Sequence, residues 1–143
     1  METLICAIRI RGQTGIKKDV KDSLNMLRLY RGNYCIVLES TPELIGMLKK
    51  CKDYITWGEI DNETYNIIVS KRAEEYKGRV TDSKNKINYN KFITIDNKRY
   101  KRYFRLSPPR KGFGRNGVKA TFKQHGALGY RGDNIRELLV RMI

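Results

Sequence analysis

The chain has 143 residues, 30 Lys and Arg against 15 Asp and Glu, and a formal charge of +15. That length suits one ordinary domain or a small domain with attachments, and 40% hydrophobic residues are enough for a core, which excludes wholesale disorder. The apolar runs are too short to cross a bilayer, the start lacks the pattern of a secretory signal, three cysteines make no disulfide framework, and one histidine removes most His-based metal sites.

Leu4 to Arg11 alternates. Leu4, Cys6, Ile8 and Ile10 share one side, and Ile5, Ala7, Arg9 and Arg11 the other, which predicts a strand with one face in the core and a second face turning basic. Gly12-Gln13-Thr14-Gly15 is a turn. Ile16, Val20, Leu24 and Leu27 recur at helical spacing, with Gly32 placed to end that helix. Asn33 to Glu39 is a second strand, rich in β-branched and aromatic residues. Thr41-Pro42-Glu43 starts a helix: Thr41 can cap, Pro42 fits the first turn, and Glu43 suits the dipole. Tyr54 to Glu59 is a third strand. Residues 1–60 therefore read β-α-β-α-β, with two helices on one side of a three-stranded sheet. Helical connections of this length suggest parallel strands.

Asp61 can cap a third helix reaching about Tyr76. Gly78 to Lys91 reads as a polar loop. Phe92–Ile95 and Tyr100–Leu106 flank Asp96-Asn97 as a hairpin. Residues 107–132 hold too many glycines and prolines for a packed element. Asp133 caps a last helix whose Ile135, Leu138, Leu139 and Met142 share a docking face.

The charge is uneven. Residues 1–60 carry 10 basic and 7 acidic groups, and residues 61–143 carry 20 and 8. From Asn97 through Gly132 there are 11 Lys or Arg and no acid. Such a field calls for a partner that supplies phosphates, because each neutralised phosphate releases condensed counterions. A generic solubilising surface is the plainer alternative. An anionic membrane would want an amphipathic basic helix, which a Gly- and Pro-rich stretch cannot form. With 11 positive charges and no acid, the arm is expected to be mostly mobile in the free protein.

Motifs for catalysis are weak. Gly12-Gln13-Thr14-Gly15 has the GXXG form of KH domains but follows a strand, and Lys17-Lys18 fails the P-loop spacing. What survives is a glycine turn entering a helix beside two lysines, able to hold one RNA phosphate. Lys111-Gly112-Phe113-Gly114 begins like the RNP1 signature of RRM domains and breaks at Arg115-Asn116. Its content is Phe113 flanked by Arg110, Lys111 and Arg115, a ring on which a base could stack, or one that packs in the core. Lys98 to Arg105 mixes charge and aromatics with no purely apolar face, which favours a strand set against phosphates. His125 has no assignable partner, the acids are scattered, and the cysteines lack CxxC spacing, so no catalytic or metal residue is nominated.

The segment IRIRGQTGIKKDVKDSLNMLRL, followed by NYCIVLESTPELIGMLKKCKDYITWGEID, resembles the large-subunit ribosomal protein family called L thirty in bacteria and archaea and L seven in eukaryotes. Leu106-Ser107-Pro108-Pro109-Arg110-Lys111-Gly112-Phe113 and Gly126-Ala127-Leu128-Gly129-Tyr130-Arg131-Gly132 resemble the C-terminal region of its archaeal form. One departure is the polar stretch around Thr81 to Lys91, shorter than the helical insert expected of archaeal relatives.

The resemblance implies an α+β fold in which the sheet is antiparallel and the first strand central. Residues 1–60 would be the family core and residues 61–143 a basic extension of helix, hairpin, Gly/Pro-rich arm and terminal helix packed on it. It implies structural binding of large-subunit ribosomal RNA in the cytoplasmic ribosome beside neighbouring ribosomal proteins, with 5S rRNA a further candidate. No catalysis, cofactor, membrane or small-molecule substrate is implied. On chemistry, the expected RNA contacts are Arg9 and Arg11 on the strand, Lys17 and Lys18 at the turn, and Arg99, Lys101, Arg102, Tyr103, Arg105, Arg110, Lys111, Phe113, Arg115, Lys119, Lys123 and His125 along the arm, closed by Arg131. A stand-alone RNA processing or chaperone factor is the alternative reading; it would show a preference on short oligomers.

Overall fold

β1 (Leu4–Arg9) lies at the centre of the main sheet, antiparallel to both β2 (Tyr34–Glu39) and β3 (Ile55–Ile60). The computed structural model describes residues 3–12, 15–86, 92–95, 97–112 and 115–143. Half of the Gly12–Gly15 turn, Asp96 of the predicted hairpin turn, and Phe113 fall outside the described residues.

The antiparallel pairing corrects what connection length suggests. α1 (Lys18–Met26) is only nine residues long, and its exit loop turns the chain back to the end it left. That turn is a Schellman closure. The Arg28 N–H donates to the Asn25 carbonyl at 3.1 Å, and the Leu29 N–H donates to the Leu24 carbonyl at 2.9 Å. Arg28, not Gly32, takes the left-handed conformation, with φ 64°. Leu24 and Leu29 are both fully buried beneath it. Glycine tolerates this conformation without a Cβ penalty, so Arg28→Gly is expected to raise stability by about 0.5–1 kcal/mol, read as a higher urea midpoint.

α2 (Pro42–Lys50) starts as its sequence predicts: Thr41 Oγ1 accepts the Leu44 N–H at 3.1 Å. α1 and α2 cover one face of the sheet. Leu24, Leu27, Leu44 and Leu48 pack there against Ile5, Ala7, Ile36, Ile55 and Trp57.

α3 (Asn62–Arg72) is capped by Asp61, whose Oδ1 accepts the Thr64 N–H at 2.8 Å. It ends before Tyr76 because Ala73 is extended and the next residues join a hairpin. That hairpin is β4 (Phe92–Ile95) with β5 (Lys98–Lys101). The Lys101 N–H donates to the Glu74 carbonyl and the Tyr76 N–H to the Arg99 carbonyl, both at 2.9 Å. Tyr76 leaves the helix and stacks on Phe92, ring centres 5.1 Å apart.

The basic run does not continue as one hairpin strand. It bends at Arg102-Tyr103 and re-enters the main sheet as β6 (Phe104–Arg105), antiparallel to β2. Later β7 (Gly129–Tyr130) adds beside β3, parallel to it. The order is β6-β2-β1-β3-β7, so the sheet has five strands rather than three. The expectation that residues 107–132 form no packed element is corrected as well. Ala127 and Leu128 are buried, and short 3-10 turns at 117–119 and 122–124 precede them.

α4 (Ile135–Met142) closes the chain, and its predicted face is buried at all four positions. Asp133 does not cap it. It sits in a 3-10 turn spanning 132–134 that feeds the helix through backbone bonds alone. With α3 and the arm, α4 covers the second face of the sheet, over Cys6, Ile8, Ile10 and Cys35. The Cys6 and Cys35 sulfurs lie 3.2 Å apart as free thiols, and burial pushes the Cys6 thiol well up, so it stays protonated.

Candidate nucleic-acid interface

Covering both faces changes the status of Arg9. The alternation places it opposite Cys6 and Ile8, but that side is also core. Arg9 is 1% exposed; its Nη1 donates to the Leu29 carbonyl at 2.7 Å and its Nε to the Arg11 carbonyl at 2.9 Å. Burial lowers its pKa from the ordinary arginine value. Arg9 pins the α1 exit to the central strand, so this nominated residue lies inside the core. Arg11, half-buried, lies over the Tyr54 ring at 5.0 Å and donates to the Asp53 carbonyl at 3.3 Å.

Arg131 is the second nominated cation that the fold takes inside, at 6% exposed. Its Nε donates to Thr56 Oγ1 at 2.9 Å and its Nη2 to the Ala127 carbonyl at 3.1 Å, while its plane lies over the Phe122 ring at 4.7 Å. Burial lowers its pKa, and nearby Arg141 lowers it further.

The run from Lys98 to Arg105 divides. Lys101 pairs with Glu74 at 3.4 Å, and Arg105 pairs with the same carboxylate through Nε at 2.8 Å and also through Nη2. These partners hold the Glu74 carboxyl below the ordinary glutamate range. A depressed carboxyl pKa gives stability that is fully present above the unfolded-state pKa and is lost as pH falls through the folded-state pKa. Glu74→Gln is therefore expected to make a small part of the stability independent of acid pH, measured as a smaller Tm difference between pH 6 and pH 3 than in the wild type. Tyr103, half-buried, stacks on Tyr34 at 5.1 Å and packs against Tyr30 at near-perpendicular ring planes, centres 5.6 Å apart. Arg102 is half-buried, and burial and then Arg28 lower its pKa. Arg99 is exposed and covers the Phe92 ring at 5.5 Å.

The other nominated residues are on the surface. Lys17 and Lys18 are exposed at the start of α1, and Arg110, Lys111, Arg115, Lys119, Lys123 and His125 are exposed along the arm. Arg115 and His125 line one cleft of about 430 Å³ with Phe122, Arg131, Glu137 and Arg141. The nomination missed Arg141 and Glu137. The only available signal was their i, i+4 spacing on the polar side of the last helix, which says nothing about the arm that meets it. A second cleft, of about 360 Å³, sets Trp57, Phe122 and Tyr130 between Lys52 and Lys123. The Tyr130 hydroxyl donates to the Glu59 carboxylate at 2.6 Å, and that bond pushes its pKa up to about 12.

Among the described residues, no group of three or more His, Cys, Asp or Glu side chains gathers to hold a metal ion, and no helix is long and apolar enough to cross a membrane. Exposed cations carried on a rigid, doubly covered sheet are the equipment of a polyanion-binding scaffold. The family described as Ribosomal protein L30p/L7e matches residues 6–55. The chain is 45% identical to the large ribosomal subunit protein uL30 of Methanosphaera stadtmanae, over 95% of this chain and 97% of that protein. It is 40% identical to the protein of the same name in Methanobrevibacter smithii, over 98% and 100%, and 37% identical to that of Nanoarchaeum equitans, over 98% and 99%. The chain belongs to the L30p/L7e family of ribosomal proteins.

Proposed function

We propose that the chain is a structural, non-catalytic constituent of the large subunit of the cytoplasmic ribosome and that it binds ribosomal RNA. The observation that supports this is the acid-free stretch 97–132, most of whose cations, though not Arg131, stay at the surface while its apolar residues pack on the same sheet as the family core. In this reading residues 1–60 are the core and residues 61–143 the basic extension packed on it. Arg99, Arg110, Lys111, Arg115, Lys119 and Lys123 neutralise phosphates on the extension, and Lys17 and Lys18 do so at the start of α1. Phe113 stays a proposed stacking residue. The rest of the surface meets neighbouring ribosomal proteins, and 5S rRNA is included as a second RNA partner.

The test mixes the purified protein with whole archaeal large-subunit rRNA, with and without 5S rRNA, and maps protected nucleotides at two salt concentrations. A few discrete footprints that persist at the higher salt are expected of one shaped site. Diffuse protection that vanishes with salt would mark a mere polycation and reject the proposal.

A further inference from the structure

We propose that the cleft between the 115–126 turn and α4 is a built phosphate pocket that takes one phosphodiester of folded RNA, with Arg131 and Arg141 as its floor and Arg115 and His125 as its rim. The inference rests on the RNA-binding reading above and adds a site to it.

The floor is pre-organised. Arg131 is held by the Thr56 hydroxyl, the Ala127 carbonyl and the Phe122 ring, so its guanidinium loses little freedom on binding. Arg141 Nη1 donates to the Arg110 carbonyl at 3.2 Å and the Gly112 carbonyl at 2.6 Å. Its Nε is buried without a hydrogen-bond partner. A buried donor left unmet is costly.

Among the described residues, Glu137 is the one carboxylate that lines the cleft, against three arginines. The contacts shown for Arg141 are to neutral carbonyl oxygens, so they satisfy donors without cancelling charge. A phosphate oxygen does both. The rim is also fixed: the Asn116 N–H donates to the His125 carbonyl at 2.9 Å, which closes the turn that carries Arg115 and His125. The volume of about 430 Å³ has room for a phosphate and part of a ribose.

The test uses the full chain labelled with ¹⁵N and follows the arginine Nε–H resonances. Inorganic phosphate is added against sodium chloride at matched ionic strength. Phosphate is expected to shift Arg131 and Arg141 to saturation, and chloride is not. Arg115→Ala, at an exposed rim position, is expected to weaken that binding about tenfold through loss of one charge-assisted contact. Lys84→Ala, at an exposed position that does not line the cleft, should leave it unchanged. Shifts that do not saturate, or that chloride reproduces, overturn the pocket.

A second arm separates this inference from the ribosomal reading. Wild type, Arg115→Ala and Arg141→Lys are footprinted on large-subunit rRNA. Discrete wild-type footprints that both variants retain at full affinity overturn the pocket and leave the ribosomal reading intact. Saturable phosphate binding combined with diffuse, salt-labile rRNA protection overturns folded RNA as the source of the phosphate, and the ribosomal reading with it.

Discussion

Alanine at Gly58 is expected to cost about 3 kcal/mol or more of stability, enough to unfold much of the population at moderate urea. Gly58 pairs with Cys6 in the middle of the sheet, on the face covered by α4. A Cβ there would lie far inside van der Waals contact of the Gly132 carbonyl oxygen, and 3.0 Å from both Cβ and Cγ2 of Ile135. The first obstacle is main chain, which no rotamer change moves aside. Relief requires lifting the 132–134 turn from β3, and the buried face of α4 goes with it. Urea denaturation followed by circular dichroism measures the loss. Gly46→Ala is the internal control: it lies in exposed α2 with nothing within 4 Å of a built Cβ. It should gain about 0.5–1 kcal/mol from helix propensity alone. Equal midpoints for the two variants would show that α4 does not press on β3 as described.

Arg9→Ala carries the second large effect, and its sign separates two readings of one residue. An arginine that met phosphate would lower RNA affinity when removed and leave folding untouched. The arginine seen here is buried and holds the Leu29 and Arg11 carbonyls. Its removal is expected to cost about 2–4 kcal/mol, by opening a cavity and stranding two buried acceptors. The rRNA affinity of the fraction that stays folded at low temperature should match wild type. Unchanged stability with weakened RNA binding would return Arg9 to the surface.

Arg9 also shows where the sequence was legible and where it was not. The alternation Leu4–Arg9 is plain, and it put each residue on the correct side. It could not say that both sides are covered: α1 and α2 pack on the side of Ile5, Ala7 and Arg9, and the side of Cys6 and Ile8 is covered by α3, α4 and the arm, far along the chain. Ile5 and Ala7 on the supposedly basic face were the available hint, since a strand buried on both faces reads as a continuous apolar run. Local signals that depend on a few neighbouring residues were readable: Thr41 and Asp61 cap as their spacing requires. Gly32 and Asp133 misled, because a left-handed Arg28 and a 3-10 turn did the same tasks by backbone bonding. In the run Lys98–Arg105 the absence of a clean face did carry information. It marks a chain that leaves a two-stranded hairpin and enters a five-stranded sheet within eight residues. The exposed arm cations could be nominated from composition. The meeting of Arg131 with Arg141 could not, since it depends on how α4 docks.

The way β6 and β7 flank the sheet has a consequence for the order in which the molecule can assemble. Thr56 and Gly129 are hydrogen-bonded across 73 positions of chain. During synthesis the first three strands emerge early, but both outer strands of the finished sheet arrive only with the last third of the chain. Until then β2 and β3 each present an unpaired row of amide and carbonyl groups, the template for joining a neighbouring chain edge to edge. Completion waits on long loop closures, which makes the final docking slow compared with formation of the helices. The same extension that carries the positive charge thus blunts both edges with short two-residue strands, so a chain interrupted before β7 is expected to aggregate through β3.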